Sequence, residues 1–162
     1  MYQLQVKRFL VQHVFPPTSG WQVSIHIDAM ERDEKGEHSP DKRQLAAESE
    51  AWLKKAGVEI GEHEQWGLAD LVARHDVFGT YIIEVEGEAS KQREQQMYSA
   101  LSQVVLSMGQ ERRDVTYAVA VPDTPKWECQ LKKVPERVKS LLNLKLFLVS
   151  DSRVRLVQGD AI

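Results

Sequence analysis

The stretch Val115–Pro122, "VTYAVAVP", constrains the fold most. It is almost uninterrupted apolar sequence, as expected of a strand covered on both faces. A strand of that kind belongs in a sheet flanked by helices. The preceding segment, from Ser90 as a candidate N-cap to about Met108, carries Met97, Tyr98, Leu101, Val104, Val105 and Met108 at helical spacing. Tyr98 lies on that apolar stripe, so a core role is expected for it. Before this helix comes another apolar strand, "TYIIEVEG". Strand, helix and strand in succession predict that the two strands run parallel.

The rest of the chain reads around that unit. "MYQLQVKRFLVQHVF" shows β-like alternation, Pro16, Pro17, Ser19 and Gly20 mark a turn, and "WQVSIHID" reads as a second strand. A β-hairpin extension over residues 1–30 is expected. "MERDEKGEHSPD" reads as an exposed polar loop. Ser39-Pro40-Asp41 opens a helix that reaches about Lys55 and stops at Gly57. Its stripe is Leu45, Ser49, Trp52, Leu53 and Ala56, with Glu48 on or beside it and Glu50 nearer to solvent. "VEI", "GLADLVAR" and "TYIIEVEG" suggest an antiparallel meander. A short helix from about Pro135 to Leu142 and the strands "KLFLVS" and "RVRLV" follow. The expected order is ββ-α-βββ-α-β-α-ββ: an α/β fold, one domain over residues 1–162, with a mixed sheet between helices.

Composition narrows the function classes. A formal charge of −3 argues against a broadly basic nucleic-acid coat. Acids dominate from Asp28 to Glu64. Bases dominate from Lys126 to Lys145, with Lys126, Lys132, Lys133, Arg137, Lys139 and Lys145, a segment that reads either as a solvated surface or as one facing phosphate. No run of about 18 apolar residues suggests a membrane span, and the N-terminus lacks the pattern of a secretion signal. Cys129 is alone, which fits a reducing, cytoplasmic setting. His13, His26, His38, His63 and His75 form no close metal-ligand pair, and no Gly-rich phosphate loop occurs.

The chemistry concentrates in "DLVARHDVFGTYIIEVEG", Asp70–Gly87. A hairpin centred on Val77 sets Asp70 opposite Glu84, with Cβ atoms about 4.5–5.5 Å apart. Glu84 and Glu86 share a face because strand side chains alternate. Three carboxylates at one spot need protons or a cation. Oxygen-only ligands suit Mg²⁺, Mn²⁺ or Ca²⁺. The plain alternative is a hairpin whose polar face meets water.

"AD" at Ala69-Asp70 and "IEVEG" at Ile83–Gly87, between an upstream helix and a long following one, resemble the PD-(D/E)XK nuclease superfamily. The likeness covers roughly Lys42–Ser150 and implies a restriction-endonuclease-like core over residues 40–150. It implies Asp70 and Glu84 as metal-binding acids, with Glu48 assisting, and Mg²⁺ or Mn²⁺ as cofactor. Glu86 occupies the position where the family usually has lysine. Either Glu86 or Lys91, five residues on, is then expected to position the attacking water. Gln96 and Gln103 share a face with Ala100 as candidate accessory residues. The activity implied is hydrolysis of phosphodiester bonds, in DNA ahead of RNA. A chain this small needs a partner or a second copy, as in a homodimer, to cut both strands at once. The missing motif lysine and the net acidity support an alternative, a nuclease-like binding or interaction module without catalysis.

Overall fold

The computed structural model describes residues 1–36, 39–88, 93–108 and 114–157. The N-terminal segment is a helix, α1 (Gln3–His13), rather than the first strand of a hairpin. Its buried face is Leu4, Val6, Lys7, Leu10 and Val11. That spacing is helical once Lys7 is counted as an inward residue. A single-turn 3₁₀ helix at Pro17–Ser19 leads to β1 (Gln22–Ile25). Then come α2 (Pro40–Lys55), β2 (Glu59–Ile60), β3 (Leu71–His75), β4 (Gly79–Val85), α3 (Arg93–Ser107) and β5 (Val115–Pro122). The chain continues with α4 (Pro125–Leu131), α5 (Glu136–Leu141), β6 (Leu144–Val149) and β7 (Val154–Leu156). Helix α4 is an element that the sequence reading did not contain. The candidate cap Ser90 lies outside the described residues.

The strands form one seven-stranded mixed sheet in the order β2-β1-β3-β4-β5-β6-β7. β4 and β5 are parallel, as the crossover predicts, and β6 joins β5 in the same direction. The antiparallel meander is β1-β3-β4, not β2-β3-β4. β2 pairs parallel to β1 at the sheet edge, because α2 carries the chain across between them.

Each face of the sheet has its own core. On one, Leu4, Leu10 and Val11 of α1 and Leu53 of α2 pack with Ile25, Leu71, Ile83 and Val85. On the other, Met97, Ala100 and Val104 of α3 and Trp127 and Leu131 of α4 pack with Val72, Ile82, Val119 and Leu146. Tyr98 is not core: it is exposed, and its hydroxyl donates to Glu94 at 2.9 Å. Glu50 is not free in solvent either. Arg32 Nε donates to it at 2.9 Å, which ties the 28–36 segment to α2.

One glycine fixes how α1 meets the sheet. A Cβ at Gly87, just past β4, would stand 2.6 Å from the backbone nitrogen of Gln3 and 3.2 Å from the carbonyl carbon of Tyr2. The Glu88 N–H also donates to the Met1 carbonyl at 2.7 Å. The close approach places the first turn of α1 against the end of β4. Gly87→Ala is therefore expected to destabilise the chain by about 1–3 kcal/mol, read from urea unfolding. An unchanged midpoint would mean that α1 does not lie against this glycine.

Candidate functional site: a carboxylate cluster around a buried lysine

The β3–β4 register ends with Leu71 opposite Ile83, which leaves Asp70 just before β3 and Glu84 next after Ile83. Asp70 precedes β3 and Glu84 and Glu86 stand at the end of β4, near enough for the charge of Asp70 to act on both glutamates. Asp70 Oδ2 accepts the Val85 N–H at 2.9 Å, so the carboxylate is held across the strand end. Glu84 is buried and hydrogen-bonded to Asp70. Alternation puts Glu84 and Glu86 on the side of the sheet that carries Ile82, the α3 side.

The sequence reading did not find two members of the site. Lys7, fully buried on α1, brings its ammonium to Asp70 from the opposite face of the sheet. Its Nζ lies 2.7 Å from Asp70 Oδ1, 2.6 Å from Glu31 Oε1 and 2.7 Å from the His26 carbonyl. Three N–H donors thus meet three acceptors. Glu31 belongs to the segment read as an exposed loop, yet it is only 5% exposed. Its own N–H donates to Asp28 Oδ1 at 2.7 Å, a turn that aims its side chain inward. Lys42 and Arg43 of α2 donate to the carbonyls of Met30 and Asp33 and hold this segment down. Gln3, one turn before Lys7, donates weakly to Asp70 at 3.3 Å.

The other predicted residues divide. Glu48 is exposed, and its partner is Gln44, at 2.9 Å along the same helix, not the cluster. Gln103 is exposed. Gln96 is half-buried and lines a cavity beside Glu31 and Glu86. Lys91 lies outside the described residues. In the basic segment, Lys132, Lys133 and Lys139 pair with Glu128, Glu94 and Glu136, and Lys145 donates to the Tyr81 hydroxyl. These pairings fit a surface neutralised within the chain more than one kept for phosphate.

The electrostatics follow from the crowding. Burial alone would lower the pKa of Lys7, but the charges of Asp70 and Glu31 more than offset it and raise it above the ordinary lysine value. The side chain is an ammonium donor at neutral pH, not a base. Burial, then the neighbouring Asp70, pushes Glu84 up to about 8. The same two causes push Glu86 up to about 7. Glu31 also rises to about 7 because burial outweighs its contact with Lys7. Four carboxyl groups share one ammonium, and protons supply part of the missing positive charge.

The donor set has the hard oxygen chemistry of a Mg²⁺ or Mn²⁺ site. Among the described residues, no group of three or more His, Cys, Asp or Glu side chains is placed to hold a metal ion. Mg²⁺ commonly takes only one or two protein carboxylates and fills its shell with water and phosphate. Among the described residues, no helix is long and apolar enough to cross a membrane. Compared with known proteins, the chain gives no significant match to a family model, a curated protein or a solved structure.

Two outcomes test this electrostatic picture. Glu31, Glu84 and Glu86 each hold a proton more tightly in the folded chain than at the ordinary value of 4.5. The folded state therefore binds more protons between about pH 4.5 and 8, and stability falls as pH rises through that window. Urea midpoints measured at about pH 5.5 and pH 8.5 should show the drop, and Glu84→Gln should flatten it. Lys7→Met leaves the carboxylates without their ammonium. It should lower unfolding free energy by about 3–5 kcal/mol at alkaline pH, and by less at pH 5.5. An equal loss at both pH values would contradict the charge argument.

Proposed function

We propose that the chain is a metal-dependent nuclease, hydrolysing phosphodiester bonds in DNA ahead of RNA. The observation that carries the reading is the meeting of Asp70, Glu84 and Glu86 with the ammonium of Lys7 at the ends of β3 and β4. On this reading Asp70 and Glu84 would hold a divalent ion, which would supply an activated water and positive charge toward a phosphodiester. Glu84, with its pKa raised to about 8, would have to release a proton to solvent before it could serve as a ligand. Glu86, with its pKa near 7, is suited to accept a proton from attacking water. Lys7 supports the reading by bringing an ammonium to the cluster from α1, although the motif position holds glutamate. Its charge is suited to stabilising the anionic transition state.

The second reading, a nuclease-like binding module without catalysis, is favoured by one specific observation. Lys7 already forms an ion pair with Asp70 at 2.7 Å, and all three of its N–H groups are engaged. On that reading the internal ammonium replaces the metal.

Cleavage assays on single- and double-stranded DNA and RNA, with Mg²⁺ or Mn²⁺, separate the two. The nuclease reading expects cleavage that chelation abolishes. It expects Asp70→Asn and Glu84→Gln, each still folded by circular dichroism, to lose activity by a factor on the order of 100 or more. Absence of cleavage by folded wild-type protein across these substrates would select the inactive module.

A further inference from the structure

At the other end of β4 from Glu84 lies a cavity of about 190 Å³, between the 63–66 loop and the starts of β4 and β5. The strand register fixes its floor. Arg74 stands directly opposite Thr80, and Thr80 beside Val115. Val72, Ile82 and Val115 belong to the core on the α3 face, so alternation projects Arg74 and Thr80 from that face too. Both line the cavity. Among the described residues, the Arg74 guanidinium has no ion pair and no hydrogen bond. The one acid among the described lining residues, Asp114, does not pair with it. The Asp114 carbonyl accepts the Thr80 N–H at 3.2 Å, and alternation from Val115 turns its carboxylate toward the other face. His63 is fixed as a donor: Nδ1 accepts the N–H groups of Gln65 and Trp66 at 3.1 and 3.2 Å, which leaves the proton of the neutral ring on Nε2. Trp66, Val72 and Val115 supply apolar walls.

We propose that this cavity binds a phosphate group, held by the Arg74 guanidinium with the Thr80 hydroxyl and the His63 Nε2–H as further donors. A cation and neutral donors share one face with no carboxylate turned toward them, and a guanidinium matches phosphate oxygens two at a time. The space is smaller than the roughly 300–1,000 Å³ of clefts for drug-sized molecules, which suits one group of a longer ligand. The 126–145 segment is a contrast, because its Lys132, Lys133 and Lys139 are paired within the chain. The inference rests on the nuclease reading for the source of the phosphate, a backbone phosphate of the substrate strand. Thr80 and Glu84 share one face of β4, about 13 Å apart at the rise of a strand. The loop that carries His63 and Trp66 runs on into Asp70. A strand held at Arg74 is therefore only a few phosphates from the carboxylates, at about 3.4 Å per phosphate in a stacked strand.

Fluorescence anisotropy of short labelled single-stranded DNA and RNA, titrated with the full chain in EDTA at low salt, measures binding without cleavage. Binding is expected, weakened at least about tenfold by Arg74→Met and about threefold by Thr80→Val. Loss of one phosphate contact should also lower the slope of log affinity against log salt by about 0.7, a change that a merely structural role would not produce. Neither side chain belongs to a core, and circular dichroism with urea unfolding verifies that both variants fold. Calorimetry with inorganic phosphate separates the sources. Oligonucleotide binding that depends on Arg74 assigns the group to a nucleic-acid strand. Binding of inorganic phosphate alone, lost in Arg74→Met, assigns it to a free phosphate compound. No binding of either probe overturns the proposal, and so do an affinity and salt slope unchanged in folded Arg74→Met. Displacement by acetate as effective as by phosphate also overturns it. The nuclease reading fails separately: Arg74-dependent binding without cleavage in Mg²⁺ removes the catalysis and leaves this site, whereas cleavage unaffected by Arg74→Met removes this site alone.

Discussion

The ammonium of Lys7 is the constraint on which the rest of this structure depends. A lysine fully removed from water is tolerable only when its charge is answered. Here the answer comes from three places in the chain: Glu31 from the segment after β1, Asp70 from the start of β3, and the His26 carbonyl. Each contact fixes the position of an element. α1 must lie where Lys7 reaches past the strand ends, the Asp28–Glu31 turn must fold inward, and β3 must begin where Asp70 faces Glu84. Gly87 makes the geometry possible by letting the backbone of Gln3 approach closely. A single charged side chain thus joins the N-terminal helix, the acidic segment and the central hairpin.

The same interaction explains which parts of the fold could be read from sequence. Strands β3 to β7 and helices α2, α3 and α5 carry local signals: alternation, apolar runs, and proline or glycine at their ends. The β3–β4 register followed from a turn centred on Val77. α1 was misread because its buried stripe contains Lys7. Without that position, Leu4 and Val6 look like alternate residues of a strand. Glu31 was hidden for a similar reason. It sits in a run of charged residues, and its partner is far away in sequence. The inward turn at Asp28 is a local signal, but one that says nothing of where the side chain ends.

Two other differences were readable in principle. Thr124-Pro125 before Lys126-Trp127-Glu128 is a helix start: the Thr124 hydroxyl accepts the Trp127 N–H, and Pro125 occupies the first turn. The rule that placed β5 beside β4 also applies to β1, α2 and β2, which are likewise strand, helix and strand. Grouping β2 with the hairpin after it obscured that. Glu48 and Glu50 show a finer limit. Sequence spacing says which side of a helix a residue occupies, but Arg32, outside that helix, decided that Glu50 would be the held carboxylate.

Lys7 and Asp70 are also separated by most of the first half of the chain, and this bears on the order of events during synthesis. Chains emerge at about 5–20 residues per second, so α1 is made several seconds before Asp70 exists. Until then its inward face carries a positive charge with no counter-charge from β3, and burial of that face is opposed. Helix α1, though translated well before β3, is therefore among the later elements to settle. Its final docking reports that the hairpin carrying Asp70 and Glu84 has formed.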